Sequence, residues 1–460
     1  MTEHTSPSPE EVVKQPSEDV VEQSSKDVTK QSPICPDGTC IDTLGNPRFS
    51  STKKTNHYIT DEDGVLIFIE KQQFCFHDSQ PVTFEEAGPR QSIYFDPPRT
   101  KCAIVTCGGI CPGINDVIRS IVNEAHYQYG VAATIGIRYG LRGFIPEFRH
   151  NVMELTPRSV SSIHEFGGSI LGSSRGPQSI VTIVDALDRM NIDILFLIGG
   201  VGGMRAAEKI YKEVQSRQLD ISIVCIPKTI DNDIHFVSRT FGFNTAVDKA
   251  TEAIRCAHVE ATGAPAGVGL VKVMGRYSGF IATEATLGLQ DVNIVLIPES
   301  PFKLEGPTGL LSALEERLDR RGHAVIVVAE GAGQHLLPEN GGVDASGNPI
   351  LGDICGLLVN RIKAHFKQRQ RPLTLKFIDP SYIIRSIPAN TEDSVYCGSL
   401  AQNAVHAGMA GKTGLMVSRW HDRNVHVPLH LVTKARKTID PGSLYWQRAL
   451  STTGQSDLES

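Results

Sequence analysis

Six short apolar runs, each followed within two residues by glycine or proline, constrain the fold of this chain more than any other feature. They are CAIVT (102–106), DILFLI (193–198), ISIVCI (221–226), VGLVKV (268–273), NIVLI (293–297) and AVIVVA (324–329). Runs so rich in Val, Ile and Leu are typical of strands buried on both faces of a parallel sheet. Because parallel strands are joined by crossover connections, the segments between the runs should be helical.

The intervening segments do carry helical periodicity. Apolar residues recur at spacings of three and four after the first, second and third runs: Val117, Ile118, Ile121, Val122 and Ala125; Met204, Ala207, Ile210, Tyr211 and Val214; and Val247, Ala250, Ile254 and Ala257. These stripes indicate buried helix faces, and Asn115 or Asp116 is suited to cap the first helix. The alternation predicts an α/β fold with a mostly parallel sheet, whose ligands bind at the carboxyl ends of the strands.

Composition excludes several classes of partner. The chain is 40% hydrophobic and 21% charged, enough for a sizeable core, and its 460 residues suggest about three domains or two large ones with smaller additions. A net charge of −6 argues against a nucleic-acid partner, because affinity for phosphate backbones needs an excess of Lys and Arg. No apolar run approaches the ~18 residues of a membrane-spanning helix. Ten scattered cysteines without a signal peptide indicate a reducing, cytoplasmic compartment.

The N-terminal part differs in character from the rest. Residues 1–34 are rich in Ser, Pro, Glu, Lys and Gln and have no aromatic residue, so they are predicted to be a disordered tail. Residues 35–98 form an extension of mixed character, in which GVLIFI (64–69) is predicted to be a strand. The alternating pattern begins at Lys101.

The turn GGICPGIN (108–115) connects the first predicted strand with the first helix. Its paired glycines let backbone amides approach an anion, and a helix N-terminus favours negative charge. The segment is neither a Walker loop nor a GxGxxG dinucleotide motif. It is either a cradle for phosphate or a tight turn without a ligand.

The turn PKTIDNDI (227–234) carries two carboxylates, Asp231 and Asp233, directly after the third run. In an extended backbone, these two side chains point the same way. One can accept a proton from a substrate hydroxyl group while the other helps to hold a cation. Phosphoryl transfer requires little more than an in-line nucleophile, neutralisation of charge and positioning of the substrates. The alternative is a turn stabilised by its own Asp and Asn side chains.

Several arginines occupy turns or loops. Arg276 follows a strand in VMGRYSGF (273–280), Arg175 lies in SSRGPQ (173–178), and Tyr382 and Arg385 belong to DPSYIIR (379–385). Guanidinium groups bind phosphate esters through two parallel hydrogen bonds. Each arginine alone is more often a surface salt-bridge partner than a phosphate ligand, but their combination with glycine turns and a carboxylate pair indicates a phosphate site.

Together these segments resemble 6-phosphofructokinases, most closely the long, plant- and trypanosome-like ATP-dependent branch. The resemblance runs from about Tyr94 to Gly454 and rests on GGICPGIN, PKTIDNDI, FGFNTAVDKATEAI, VKVMGRYSGFIATEATL, IPESPF, VVAEGAG and DPSYIIRSIPANTEDSVYCGSLAQNAVHAGMAGKTG. It implies two interleaved α/β domains, each a mostly parallel sheet flanked by helices. Residues 99–242 with about 390–430 would bind nucleotide, and residues 243–389 with about 431–460 would bind sugar phosphate.

The resemblance also implies an activity, which is the transfer of phosphate from ATP, with Mg²⁺, to the 1-hydroxyl of fructose 6-phosphate in glycolysis. An allosteric homotetramer, or a hetero-oligomer with a paralogue, would carry it out. Asp231 would be the general base. The residues implied around the sugar phosphate are Thr229, Asp231, Met274, Gly275, Arg276, Glu330, Tyr382 and Arg385. Those implied around the nucleotide are Gly109, Arg175, Gly200 and Gly202, with Asp233 near the metal.

One turn departs from the family pattern Gly-Gly-Asp-Gly-Thr/Ser. This chain has Gly199-Gly200-Val201-Gly202-Gly203, and valine has no oxygen with which to bind Mg²⁺. In the family, Gly at position 202 goes with ATP and Asp with pyrophosphate. The departure leaves open a kinase with weakened turnover or a catalytically deficient regulatory or binding subunit, with pyrophosphate-dependent transfer as a third interpretation.

Overall fold

The computed structural model describes residues 38–70, 76–77, 80–338, 342–344, 348–455 and 458. The predicted disordered tail, residues 1–34, lies outside the described residues. From Lys101 onward, strands and helices alternate, as the apolar runs predict. No helix in the described part of the chain is both long enough and apolar enough to cross a membrane.

The elements have the following bounds. The strands are β1 (Asp42–Thr43), β2 (Phe49–Ser50), β3 (Gly64–Leu66), β4 (Phe76–His77), β5 (Gln80–Pro81), β6 (Thr83–Glu86), β7 (Ser92–Ile93), β8 (Lys101–Thr106), β9 (Ala133–Ile137), β10 (Met153–Glu154), β11 (Ile194–Gly199), β12 (Ser222–Pro227), β13 (Gly267–Val273), β14 (Ile294–Leu296), β15 (His323–Ala329), β16 (Thr374–Ile378), β17 (Lys412–Thr413), β18 (Leu415–Trp420) and β19 (Arg423–Pro428). The α-helices are α1 (Ile114–Asn123), α2 (Ile180–Arg189), α3 (Val201–Ser216), α4 (Phe243–Thr262), α5 (Phe280–Leu289), α6 (Leu310–Arg321), α7 (Ile354–Gln368), α8 (Ser381–Arg385), α9 (Thr391–Met409), α10 (Leu429–Val432) and α11 (Leu444–Thr453). Short 3-10 helices lie at Pro97–Arg99, Gly140–Phe144, Pro146–Phe148, Ile163–Glu165 and Gln334–Leu336, and a π-helical turn, Glu124–Tyr129, follows α1.

The larger sheet has the order β10-β9-β8-β11-β12-β18-β19-β6-β3. Its central strands β9, β8, β11, β12 and β18 are parallel, and the strands at both edges are antiparallel to their neighbours. β3 and β6 come from the N-terminal extension, so the extension completes this sheet. The strand predicted at 64–69 is present as β3 but ends at Leu66.

The smaller sheet has the order β14-β15-β13-β16 and is parallel throughout. The six apolar runs are therefore β8, β11, β12, β13, β14 and β15, with bounds that differ from the runs by no more than one residue at either end. All residues of β11 and β12 are buried, as strands covered on both faces must be. The predicted α/β fold class, with two sheets rich in parallel strands, is confirmed.

The three predicted helices are α1, α3 and α4, and their apolar stripes face the core. The predicted cap of α1 is wrong, because the helix begins at Ile114 with Gly113 as its N-cap at φ +94°. Asn115 instead lies inside the helix, where Nδ2 donates to Ile163 O at 2.9 Å. A left-handed backbone at the cap requires glycine, so this backbone conformation overrides the capping preference of Asn and Asp.

The chain crosses between the two sheets and returns. Strands of the larger sheet come from residues 64–86, 101–227 and 415–428, whereas those of the smaller sheet come from residues 267–378. Helix α9 follows the smaller sheet in the chain but packs on α1 and β12 of the larger one. The domain boundaries drawn from the sequence stay a prediction.

Candidate active site

The strands β8, β11 and β12 lie side by side, and the turns at their carboxyl ends are joined by backbone hydrogen bonds. Cys107 N donates to Ile198 O at 2.8 Å, and Lys228 N donates to Gly199 O at 2.9 Å. The three turns singled out from the sequence therefore meet at one edge of the sheet, where open α/β sheets bind ligands.

Lys228 connects two of these turns. Its side chain is buried, its ammonium group donates a hydrogen bond to Gly109 O, and burial lowers its pKa. A Cβ built on Gly109 would lie 3.5 Å from Arg175 Nη2 and 3.9 Å from Arg385 Nη1. An ammonium group and two guanidinium groups are thus gathered around a glycine turn, and this arrangement suits an anion with several negative oxygens.

The turn after β11 leads directly into α3, which begins at Val201 with Gly200 as its N-cap. The Val201 side chain is buried in the apolar core. A Cβ on Gly203 would lie 3.3 Å from Leu197 Cδ2, whereas a Cβ on Gly202 would meet no described atom within 4 Å. The open space beside Gly202, at the N-terminus of a helix, suits an anionic ligand.

A second group of turns follows the smaller sheet. Glu330 N donates to Val273 O, and Gly331 N donates to Gly275 O, both at 3.0 Å. Gly275 has φ +133°, and a Cβ there would lie 2.4 Å from Ser278 O, so only glycine fits. The turn that follows β13 and the acid that follows β15 are held next to each other in this way.

The turns of the two sheets meet at Asp231. Ser278 Oγ donates to Asp231 O at 2.9 Å, and Asp231 N donates to Thr229 Oγ1 at 3.1 Å. The carbonyl oxygen of Thr229 accepts in turn from Thr240 Oγ1 at 2.7 Å. These bonds fix the backbone of Asp231 and leave its carboxylate for a ligand.

The carboxylate of Asp231 lies in surroundings that favour its protonated form. Its Oδ1 is buried and has no hydrogen-bond partner among the described residues. Burial raises the pKa of Asp231 to about 7, and the negative charges of Asp233 and Glu330 act in the same direction. A hydrogen bond from the Arg276 backbone and the charge of Arg436 oppose them. A carboxylate with a pKa near neutrality is suited to accept a proton.

Two guanidinium groups of the same site have unused donors. Arg276 Nε and Arg385 Nε are buried, and neither has a hydrogen-bond partner in the described part of the chain. Burial raises the pKa of the neighbouring Glu330, against the charges of Lys272, Arg276 and Arg385. Because buried polar groups are normally paired, these donors are available to a ligand.

Not every residue predicted at the sugar phosphate lies in this cluster. Tyr382 is 77% exposed, and its ring centroid lies 5.3 Å from the guanidinium carbon of Arg385. Met274 is partly buried and packs against the apolar core. The residues that the structure brings together with Asp231 are Thr229, Gly275, Arg276, Glu330 and Arg385.

Asp344, which the sequence analysis did not single out, lies between arginines of the two halves. Its Oδ2 is 3.9 Å from Arg175 Nη1 and 3.9 Å from Arg276 Nη1. No motif surrounds Asp344, so only the fold reveals its position. The two arginines are therefore close enough for one anionic group to reach both.

Asp233, which was predicted near a metal ion, is paired with a residue that the sequence analysis also missed. Arg436 Nη1 lies 2.6 Å from Asp233 Oδ2, although the two residues are 203 positions apart. One oxygen of the Asp233 carboxylate is thereby engaged within the protein.

The chain is similar in sequence to known proteins over most of its length. The family model for phosphofructokinase matches residues 101–408, more than half of the chain. The chain is 48% identical to the ATP-dependent 6-phosphofructokinase of Amycolatopsis methanolica over 416 residues, which cover 88% of this chain and 90% of the relative. It is 45% identical to ATP-dependent 6-phosphofructokinase 1 of Arabidopsis thaliana over 417 residues, 89% and 86% of the two chains. It is also 45% identical to the ATP-dependent 6-phosphofructokinase of Trypanosoma cruzi over 376 residues, which cover 81% of this chain and 77% of the relative.

The fold defines the class of protein. A pyrophosphate-dependent phosphofructokinase from Marinobacter aquaeolei has a similar structure, with a TM-score of 0.62 and 19% identity, over 78% of this chain and 92% of that chain. The two proteins share this fold. The chain belongs to the phosphofructokinase family, and the resemblance drawn from its motifs is confirmed.

Proposed function

We propose that this protein transfers the γ-phosphoryl group of ATP to the 1-hydroxyl of fructose 6-phosphate, which gives fructose 1,6-bisphosphate in glycolysis. The observation that carries the proposal is the buried Asp231 carboxylate, whose Oδ1 has no hydrogen-bond partner among the described residues, in a site lined by cationic side chains. Lys228, Arg175 and Arg385 lie around Gly109, and Arg276 lies near Glu330. The names of the relatives, which are similar over most of their length, support ATP as donor.

The smaller sheet supplies the proposed sugar-phosphate half. Arg276 and Arg385 bind phosphate oxygens of the substrate through their unused guanidinium donors, and Glu330 accepts hydrogen bonds from sugar hydroxyl groups. Met274 and Gly275 line the pocket, and Tyr382 covers its outer edge. Guanidinium donors and a buried carboxylate acceptor are the complements of a sugar phosphate.

The larger sheet supplies the proposed nucleotide half. The phosphates of ATP lie over Gly109, Gly200 and Gly202, where Lys228 and Arg175 neutralise their charge. The open space beside Gly202 supports this placement of the donor. Fixed cations at the phosphates stabilise the charge that develops during transfer.

In the proposed step, Asp231 accepts the proton of the sugar hydroxyl group while the oxygen attacks the γ-phosphorus. The new oxygen–phosphorus bond forms as the bond between the γ-phosphorus and the β,γ-bridging oxygen breaks, and ADP leaves with that electron pair. Because deprotonation accompanies attack, a carboxylate with a pKa of about 7 is a sufficient base.

Mg²⁺ is proposed to enter the site as part of the donor, bound to the nucleotide phosphates and water. The described residues include no group of three or more His, Cys, Asp or Glu side chains that could hold a metal ion. The side chain of Val201, at the first position of α3, has no oxygen that could bind a metal ion. The carboxylate of Asp233 is paired with Arg436. Mg²⁺ commonly keeps several waters and binds through substrate phosphates, where it neutralises charge.

The chain is proposed to act as an oligomer in the cytoplasm, either a homotetramer or an assembly with a paralogue. Tyr382 and Ile383 of α8 are 77% and 65% exposed, and Phe377 of the edge strand β16 is 46% exposed. Tyr382 and Ile383 are neighbours in the chain, and adjacent exposed apolar side chains are typical of protein interfaces. The described cysteines are free thiols, which fits a reducing compartment.

A second candidate is a catalytically deficient subunit that binds sugar phosphate or nucleotide and assembles with an active paralogue. The observation that favours it is Val201, an apolar, buried residue at the head of the helix that faces the nucleotide phosphates. Without a carboxylate at this position, the protein itself contributes little to holding the metal.

Formation of fructose 1,6-bisphosphate from ATP and from pyrophosphate, at varied Mg²⁺, tests the proposal. We expect turnover with ATP for the native chain and none for Asp231→Asn, because asparagine keeps the shape of the side chain but cannot accept the proton. Calorimetry should show that fructose 6-phosphate still binds to this variant. A native chain that binds both substrates but makes no product with either donor would reject the kinase and support the second candidate.

A further inference from the structure

The segment that follows α10 lies against the turn that carries Asp231. Arg436 forms an isolated antiparallel bridge with Ile234. Lys437 N donates to Asp233 O at 3.1 Å. Residues near the C-terminus therefore hold the backbone of the catalytic turn.

The same segment also reaches the turn of the smaller sheet. Ile439 N donates to Glu299 Oε1 at 2.9 Å, and this carboxylate accepts from Gly279 N at 3.1 Å and 3.0 Å through its two oxygens. Because both turns contribute side chains to the site, a movement of residues 436–439 would change their relative position.

Lys437 fixes the residue between the two aspartates. Its Nζ donates to Asn232 Oδ1 at 3.1 Å and to the carbonyl oxygens of Val237 and Ser238 at 2.9 Å and 2.7 Å. Asn232 has φ +55°, a left-handed conformation that a non-glycine residue adopts at a cost in energy. The lysine thus stabilises the bend that separates Asp231 from Asp233.

The Arg436 side chain ends at Asp233. Their nitrogen and oxygen atoms are 2.6 Å apart, and the exposed fractions of the two side chains are 28% for Arg436 and 9% for Asp233. The guanidinium carbon lies 4.2 Å from the ring centroid of Tyr277, next to Arg276 in the chain. A stacked guanidinium is confined in orientation, so Arg436 presents a fixed positive charge to the carboxylate.

We propose that Arg436 is a positioning residue for the phosphoryl transfer, because its pairing with Asp233 keeps that carboxylate from competing for the cations of the site and leaves Asp231 to face the sugar hydroxyl group. This inference rests on the proposed function. Arg436 acts chiefly through Asp233, although its charge also lowers the pKa of Asp231, and it does not touch a reacting atom.

The competition would arise from the charge of Asp233. A carboxylate that is 9% exposed needs a compensating cation, and Lys228 is close enough to interact with it electrostatically. Without Arg436, Asp233 would pair with Lys228. Lys228 would then no longer be available to the ATP phosphates, which it is proposed to bind. Turnover and affinity for ATP should then suffer, while affinity for fructose 6-phosphate should change little.

A double-mutant cycle on Arg436 and Asp233 tests this coupling. We expect Arg436→Met to lower kcat about 10- to 100-fold, since small displacements of catalytic groups have effects of this size, and to raise the KM for ATP. In the Asp233→Asn background, the same change should lower kcat less than about threefold, because no uncompensated carboxylate remains. Arg436→Lys, which keeps the charge, should restore part of the loss.

Lys434→Met is the matched control, since it removes one positive charge from an exposed position two residues away. We expect its turnover to equal that of the native chain. The dissociation constant of fructose 6-phosphate, measured by calorimetry for every variant, should stay within about threefold of the native value.

Equal losses from Arg436→Met in both backgrounds would overturn the inference and leave the proposed function intact. An inactive native chain would overturn the proposed function and the inference with it. If Arg436→Met does not fold, the double variant decides: a folded double variant supports compensation of Asp233, whereas an unfolded one shows a purely structural role.

Discussion

The ammonium group of Lys228 donates a hydrogen bond to the carbonyl oxygen of Gly109. This contact joins the turn after β12 with the turn after β8, on either side of the helix α3 that follows β11. A lysine held by a neutral carbonyl group keeps its positive charge for a ligand, and burial strengthens the interaction with that ligand. We therefore regard Lys228 as the fixed cation of the nucleotide half.

Replacement of Lys228 by Met should lower kcat/KM for ATP by about 100- to 1,000-fold, the usual effect of removing one preorganised donor to developing negative charge. The KM for fructose 6-phosphate should change less than about twofold, because its proposed contacts, apart from that with Asp231, come from the smaller sheet. Steady-state kinetics with each substrate varied in turn measures both effects. Equal losses for both substrates would instead indicate that the whole edge of the sheet has collapsed.

The activity should rise with pH through neutrality. Burial raises the pKa of Asp231 to about 7, so the carboxyl group is mostly protonated below this pH and cannot accept the hydroxyl proton. We expect log kcat to increase by about one per pH unit below neutrality and to level off above it. Dissociation constants of fructose 6-phosphate at the same pH values separate this effect from titration of the substrate. A flat kcat profile across neutrality would assign the proton to another group.

Much of the fold could be predicted because the strands are buried on both faces. Short continuous runs of Val, Ile and Leu that end in glycine or proline are typical of such strands, as β11 and β12 illustrate. At the antiparallel edge, β3 was predicted but β6 (TFEE) was not, since β6 contains only one buried residue and its pairing with β19 depends on tertiary contacts. Short edge strands carry too little local pattern to be recognised.

The same distinction holds for the site. Asp231, Arg276 and Arg385 stand in turns next to strands or in recognisable motifs, so their residue types and positions predicted a phosphate site. Arg436 lies 203 residues from Asp233 and in no regular strand or helix, so no local pattern connects the two. Sequence reasoning finds groups that face a ligand more readily than the groups that hold them in place.

Replacement of Val201 by Asp should lower the Mg²⁺ concentration that gives half-maximal rate, because a carboxylate at the head of α3 adds an oxygen ligand near the nucleotide phosphates. The change should also lower the free energy of unfolding by about 1–3 kcal/mol, since Val201 is buried in the apolar core. The positive end of the helix dipole offsets part of this cost.

Val201→Asn is the matched control for this prediction. Its side chain has nearly the same shape as Asp but no charge, so it should show the loss of stability with a smaller gain in Mg²⁺ response. Turnover against Mg²⁺ concentration and thermal unfolding measure the two effects. An unchanged Mg²⁺ response in Val201→Asp would mean that the head of α3 is too far from the metal to matter.

Glu85 is the centre of a buried ionic cluster that ties the N-terminal extension to the larger sheet. Its carboxylate lies 2.8 Å from Arg90 Nη2, 3.0 Å from Lys412 Nζ and 2.9 Å from His426 Nδ1. Burial acts to raise the pKa of Glu85, but His426 and Lys412 lower it to about 2. The ionised carboxylate is therefore strongly favoured in the folded protein.

Glu85→Gln should lower the free energy of unfolding at neutral pH by about 1–3 kcal/mol, because the buried Arg90 and Lys412 lose a carboxylate partner and keep only the 63% exposed Asp61. Since the pKa of Glu85 is lower in the folded state than the ordinary value of 4.5, its contribution is complete above that value and is lost as the pH falls towards about 2. Denaturant unfolding should therefore show a difference between native chain and variant that shrinks on acidification. Glu86→Gln is the control: its partner Arg423 is 59% exposed, so this change should cost less than about 1 kcal/mol at any pH. Equal losses for the two variants would contradict the assignment of the stabilisation to burial of the Glu85 cluster.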